Sequence, residues 1–264
     1  MKSSKLNLFV ILVIALSFSS AYAGDDKKPG AEYYQIRVYH FTGPEQEKKL
    51  DDYLSQAYIP ALHKAGIKKV GAFKLIANDT IADKKLYVFF SASSLEKLTE
   101  LPTQLQKNAE YVKAGKDYME AVYNQPPFAR MENILLKSFR LHPSMTLPGL
   151  KNDKKERVYE LRSYEGPTEQ LYNAKVKMFN EGGEIALFER LGFNAVFYAE
   201  VVSGSRMPNL MYMTSFANRA DRDAHWKTFG GDPEWKRISA LPEYQHTVSK
   251  AEVMLLSAAE YSDF

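Results

Sequence analysis

Arg157-Val158-Tyr159-Glu160-Leu161-Arg162-Ser163-Tyr164 has an earlier, imperfect copy in the same chain, Glu32-Tyr33-Tyr34-Gln35-Ile36-Arg37-Val38-Tyr39. Both alternate between apolar and polar residues, the period of a half-buried strand, and in both an Arg and a Tyr fall two residues apart on the more polar face. A strand that returns with its charge in place implies a repeated unit, so the elements on either side of it should return too.

They do. The first strand, Tyr33 to Phe41, stops at Thr42-Gly43-Pro44, a turn that also opens a helix. Leu50, Leu54, Tyr58 and Leu62 then recur at near-helical spacing up to Gly66, a natural helix end, with a kink expected near Pro60. Lys69 to Ala77 and Leu86 to Ala92 read as strands around a polar hairpin loop. Ser94 caps a helical region that runs irregularly past Pro102 to Tyr123, Pro126-Pro127 ends it, and Met131 to Phe139 is the last strand. After a linker, 140–156, the same order restarts. Arg157 to Tyr164 is the strand, Glu169 to Leu191 a helix weakened at Gly182-Gly183, and Phe193 to Val202 with Leu210 to Phe216 a hairpin. Asn218 to Phe229 is the second helix and Lys250 to Ser257 the final strand.

Equivalent elements lie about 125 residues apart, the size of a small domain rather than of a solenoid repeat. Tyr34, Arg37, Tyr39, Gly66 and Tyr87 align with Tyr159, Arg162, Tyr164, Gly192 and Tyr212, and Lys74 aligns with Glu200. The fold class is therefore α+β: two tandem ferredoxin-like βαββαβ halves, residues 31–139 and 157–264, each a four-stranded antiparallel sheet with helices on one face. Packing the two open faces together gives a pseudo-symmetric barrel of the dimeric α+β type.

The chain has 264 residues, 45% hydrophobic and 25% charged, the composition of a soluble globular protein. Lys2 and Lys5, the apolar run Leu8 to Leu16 and the closing Ala21-Tyr22-Ala23 have the pattern of a cleavable signal peptide, residues 1–23. The run is too short for a span of about 20 apolar residues. The expectation is a secreted or periplasmic protein starting at Gly24, with a short disordered polar tail, 24–30. The absence of cysteine excludes disulfides, thiolate metal sites and a lipid anchor on an N-terminal cysteine. Without Lys2 and Lys5 the 35 basic residues come close to balancing the 32 acidic ones, so neither nucleic acid nor membrane is expected as a partner.

Arg219-Ala220 through His225-Trp226, Phe229 and Asp232-Pro233-Glu234-Trp235 resemble the signature of NIPSNAP domains, of the dimeric α+β barrel superfamily. Glu160 to Tyr164 is similar to the opening strand of that domain, and Glu110-Tyr111 occupies the Glu234-Trp235 position in the first half, without the preceding Asp-Pro. Pro126-Pro127-Phe128 followed by Met131-Glu132 resembles exported bacterial members. The resemblance implies the barrel, formed between chains or within one, and no agreed activity. The wider superfamily includes cofactor-free monooxygenases, heme-binding enzymes and decarboxylase-like proteins that use the helix-sheet cleft or the barrel interior. No cofactor is expected from the residues; heme is the one that the resemblance admits.

For the site, Ile36 and Val38, with Tyr159 and Leu161, suit the helix-packed face. Gln35, Arg37 and Tyr39, with Glu160, Arg162 and Tyr164, are then expected inside the barrel. On the next strand Phe193, Ala195, Phe197, Ala199 and Val201 mark the helix side, placing Asn194, Val196, Tyr198 and Glu200 inside. A buried guanidinium needs a partner. Arg162 has Glu160 two residues away, whereas Arg37 has only the neutral Gln35. Either the halves close the barrel with internal ion pairs, Lys74 and Glu200 among them, or Arg37 with Tyr39 and Tyr198 binds a small acidic or phenolic ligand.

His225 is a further candidate, as proton carrier or axial ligand, beside Trp226 and Phe229 that read as core. No His pair has metal-ligand spacing, and no phosphate loop or nucleophile elbow is present. Three functions stay open: a binding protein for a small apolar or phenolic molecule, an oxygenase-like enzyme, and a ligand-free scaffold. Further association into a homo-oligomer is left open too.

Overall fold

The computed structural model describes residues 30–264. The expected signal peptide, residues 1–23, and residues 24–29 of the expected polar tail lie outside the described residues. Eight strands form a closed antiparallel barrel: β1 (Tyr33–Phe41), β2 (Val70–Leu75), β3 (Lys84–Ala92), β4 (Arg130–Ser138), β5 (Val158–Glu165), β6 (Asn194–Ser203), β7 (Asn209–Phe216) and β8 (Lys250–Ala258). Their order around the barrel is β1-β3-β2-β8-β5-β7-β6-β4, so each half contributes one ferredoxin-like sheet. The seams are β2 with β8, where Leu75 faces Leu256, and β4 with β6, where Leu136 faces Val201. Closure gives each of these strands a neighbour on both sides, although the two seams pair only part of their strands' lengths.

The expected faces are reversed by the structure. Tyr34, Ile36, Val38, Phe73, Tyr87 and Phe89 meet Tyr159, Leu161, Phe197, Met211, Met213 and Leu256 inside the barrel. Gln35, Arg37 and Tyr39, like Glu160, Arg162 and Tyr164, lie instead in the layer between sheet and helices, where Arg37 reaches Tyr58 and Arg162 reaches Trp226. The reason is physical: an eight-stranded barrel is filled by its own side chains, so its interior takes the more uniformly apolar face. A guanidinium is tolerated at the helix layer, whose borders open to water. Phe264 packs into the interior against Phe73, Phe89 and Tyr159.

On β6 a register irregularity between Ala195 and Phe197 splits the expected pattern. Phe193 and Ala195 stay on the helix side, but Val196, Phe197, Ala199 and Val201 all contribute to the interior, and Tyr198 turns to the helices. The strand pairing also corrects one alignment between the halves. Arg37 faces Val88 and Arg162 faces Tyr212, so Tyr212 corresponds to Val88, and Tyr87 to Met211. Lys74 and Glu200 do correspond, opposite Leu86 and Leu210 respectively.

The helices cover the outer faces. In the first half α1 (Pro44–Tyr53) continues through a wide turn, Leu54–Tyr58, into α2 (Ile59–Lys64). Pro60 has no N–H to donate into the turn before it, and the widened turn absorbs that missing bond. Gly66 and Gly192 follow the respective helices at φ 91° and 75°, the left-handed conformation that closes a helix C-terminus. The first half adds α3 (Leu95–Gln106), α4 (Ala109–Ala114) and α5 (Lys116–Met119). The second half has α6 (Glu169–Asn180), α7 (Glu184–Arg190), α8 (Arg219–Gly231) and α9 (Pro233–Ser239). Ser94 and Asn218 cap α3 and α8, and Asn108 and Asp232 cap α4 and α9, so the two halves start these helices with the same chemistry. Replacing Asn218 by Ala removes the acceptor for the Asp221 N–H, 2.9 Å away. Thermal unfolding should show a loss of about 1 kcal/mol, the usual cost of an N-cap.

Candidate functional site

In the second half the Arg of β5 is fully accommodated by the protein. Glu160 is 0% exposed. Its two oxygens accept from Arg162 Nε at 2.5 Å, from Arg222 Nε at 2.6 Å and from Trp226 Nε1 at 2.8 Å. The Trp226 ring lies over the Arg162 guanidinium, 3.7 Å from its centroid, and Arg162 also donates to Tyr164, which is bonded to Tyr212. Burial on its own would raise the Glu160 carboxyl, but the hydrogen bond from Arg222 and the charge of Arg162 outweigh it and hold the carboxyl below its ordinary range. The helix α8 is what makes this possible. Arg222 and Trp226, four residues apart, share its inner face.

The first half keeps the Arg and lacks the rest. Positions four and eight after the N-cap, Arg222 and Trp226 in α8, are Leu98 and Pro102 in α3. Gln35 replaces Glu160. Among the described residues the partners of Arg37 are the Asn133 side-chain oxygen at 3.2 Å, the Tyr39 hydroxyl at 3.4 Å and the face of Tyr58 at 4.9 Å, none of them an anion. Gln35 spends its own amide on the same Asn133 oxygen, at 2.9 Å.

Around this cation stands a cluster of tyrosines. Tyr53 stacks on Tyr118 with centroids 3.7 Å apart and on Tyr58 at 5.6 Å, and its hydroxyl is 2.7 Å from that of Tyr111. Tyr39 meets Tyr118 and Phe128 edge-on or tilted. Burial raises the hydroxyls of Tyr53, Tyr58, Tyr111 and Tyr118 above the ordinary phenol range, so all are neutral donors at physiological pH. Tyr53 and Tyr118 also line a cleft of about 480 Å³ between α1 and α5, bordered by Lys49 and Lys116 and by the carboxylates Asp52, Asp117 and Glu120. The cluster thus extends from Arg37 to solvent.

The other candidates are dispersed. Lys74 lies on the helix side and pairs with Glu47 and Asp51 of α1, both at 2.7 Å. Glu200 accepts from the Tyr172 hydroxyl of α6 at 3.2 Å. The two therefore never meet across the interior: Lys74 forms its ion pairs with α1 of its own half, and Glu200 accepts from a neutral hydroxyl of α6. Tyr198 belongs to the second half, fully buried and stacked with Tyr212, and is not brought to Arg37. His225 is wedged between Phe193 and Phe216, with Nδ1 2.8 Å from the Asp221 carbonyl, which makes it a packed helix-edge residue. Sequence reasoning missed Arg222, which the i, i+4 spacing to Trp226 could have shown. It also missed Asn133 and the tyrosines of α1, α4 and α5, which only the fold assembles.

Residues 159–263 match the family model NIPSNAP. No curated protein matches the chain. A candidate monooxygenase from Lactobacillus acidophilus NCFM superposes with a TM-score of 0.55 at 10% identity, over 86% of this chain and 94% of its own. An anthrone oxidase-like protein gives 0.53 at 9% identity, over 87% and 92%. A NIPSNAP family protein of unknown function from Agrobacterium tumefaciens covers 43% of this chain and 98% of its own, at 20% identity and a TM-score of 0.37. The first two share the whole barrel architecture with this chain.

Proposed function

With a NIPSNAP domain at residues 159–263 of a closed α+β barrel as premise, we propose that the chain binds a small acidic or phenolic molecule in the helix-sheet layer of its first half. One observation carries this reading: Arg37 has no carboxylate, while its counterpart Arg162 has Glu160, a second Arg and an indole around it. An incoming carboxylate or phenolate would supply the missing charge, and the tyrosines would supply an aromatic wall and neutral donors. The entry we propose is the cleft lined by Tyr53 and Tyr118, which Arg37 itself does not line.

The test uses benzoate and 4-hydroxybenzoate in calorimetry. Saturable one-to-one binding is expected, lost in Arg37→Met without loss of thermal stability. Gln35→Glu gives Arg37 an internal anion, and should raise the melting temperature while weakening benzoate at least tenfold. Equal binding by the wild type and both variants would place the ligand away from Arg37 and sink the proposal, and no binding at all would sink it in favour of a ligand-free scaffold.

The second reading is an oxygen-consuming reaction on a phenolic ligand, the kind of chemistry that the names of the candidate monooxygenase and the anthrone oxidase-like protein carry. At 10% and 9% identity they support the fold alone. Neutral buried phenols beside Arg37 favour this reading, and oxygen uptake with electron-rich phenols distinguishes it from simple binding. Export belongs to the same proposal: the secreted or periplasmic protein should begin at Gly24 by N-terminal sequencing.

A further inference from the structure

The two ends of the barrel differ. Near one end, Tyr34, Phe73, Phe89, Tyr159, Phe197 and Phe264 fill the interior with rings in mutual contact. At the other lies a cavity of about 230 Å³, whose floor includes Val38, Tyr87, Ile134, Met211 and Met254. For scale, an engineered apolar cavity of about 150 Å³ holds benzene.

The rim is polar, and its charges are satisfied among themselves. His40 has one ring nitrogen 2.7 Å from Asp83 and the other 3.0 Å from Glu132. Arg206, at φ 67°, pairs with Glu252, which Lys250 also approaches at 3.3 Å. Ser163 and Asn209 bond to each other. Lys85 is 3.5 Å from Asp83. Among the described residues no rim charge is left to neutralise an ionic guest, and a guest bearing charge would have to shed water beside ions already paired.

Tyr87 is the exception among the floor residues. Its ring is 5% exposed in the cavity wall. Burial, then the negative charges of Glu252 and Glu132, push its hydroxyl upward, so it is a neutral phenol that can donate but not ionise. A neutral donor set in an apolar floor calls for an acceptor oxygen on an otherwise apolar molecule.

We propose that this end of the barrel is a ligand site separate from Arg37, selective for uncharged compounds of one or two rings that carry a carbonyl or ether oxygen for Tyr87. It differs in charge preference from the Arg37 site, so the two stand or fall separately. The probe is coumarin, neutral, bicyclic and bearing a lactone carbonyl, titrated into protein with ¹³C-labelled methionine methyl groups. Saturable one-to-one binding is expected, with the methyl signals of Met211 and Met254 shifting along the titration. Tyr87→Phe, which keeps the packing, should weaken coumarin about fivefold, the share of one hydrogen bond. Coumarin-3-carboxylate should bind at least tenfold more weakly than coumarin, and benzoate should not compete. Absence of saturation, unmoved Met211 and Met254 signals, unchanged affinity in a folded Tyr87→Phe, tight carboxylate binding or competition by benzoate would each overturn the proposal. The methyl shifts are read on the wild type and so do not depend on the variant folding.

Discussion

Glu160→Ala should unfold roughly 10 °C below the wild type, a loss of about 3–5 kcal/mol, the usual cost of removing one partner from a buried ion pair. Among the described residues Glu160 is the one carboxylate bonded to Arg162, and it also accepts from Arg222 and Trp226, so its removal strands the Arg162 cation and an indole N–H and leaves Arg222 with Asp223 alone. The same carboxylate predicts a pH effect. Its folded-state pKa is depressed, so its contribution is fully present above the ordinary range of a glutamate. That contribution is lost as the pH falls through the lower, folded value. Acid titration of stability should therefore be less steep in Glu160→Gln than in the wild type. Equal slopes, or a Glu160→Ala protein as stable as its parent, would show that the cluster contributes nothing net.

The second large effect belongs to the pair between α6 and α7. Lys175 and Glu184 are 5% and 2% exposed, 2.7 Å apart, and the ammonium lies 4.7 Å from the ring centre of Phe179. Glu184→Ala should cost about 3–5 kcal/mol because the ammonium is then buried alone, whereas Lys175→Met with Glu184→Leu should restore the parent stability or exceed it by about 1–4 kcal/mol. Denaturant melts of the two single variants and the double complete the cycle. A double variant as unstable as the singles would mean that the pair itself, not the avoidance of a lone charge, stabilises the join between α6 and α7.

Much of the barrel could be read from the chain because strand alternation and helix spacing are local. Alternation places β1 at its observed limits, Tyr33 to Phe41, and position alone marks Ser94 as a cap. What alternation cannot say is which face turns inward. Ile36 and Arg37 are neighbours on opposite faces whichever way the strand lies, and both faces are covered in this fold. The decision rests on the opposing sheet, whose Tyr159 and Leu161 make the interior dry. The irregularity on β6 has a similar origin, since a single extra residue reverses every later side chain.

The contrast between Gln35 and Glu160 was legible because each lies two residues from its Arg on one strand. Its reinforcement was not: Arg222 and Trp226 come from a helix more than fifty residues away. The tyrosines around Arg37 come from three separate helical segments and a strand, and helical spacing marks Tyr58 simply as an apolar position.

A barrel closed by one chain has no symmetry axis obliging its halves to match. When two identical subunits close such a barrel, every feature is present in duplicate, and a cation without an anion would occur twice. Here Pro102 can stand where Trp226 stands, and one half can be saturated with counter-charge while the other is left wanting. The corollary is a stoichiometry: benzoate should titrate at one equivalent per chain, with a simple hyperbolic isotherm, because the second half offers no equivalent vacancy through which two binding events could be coupled.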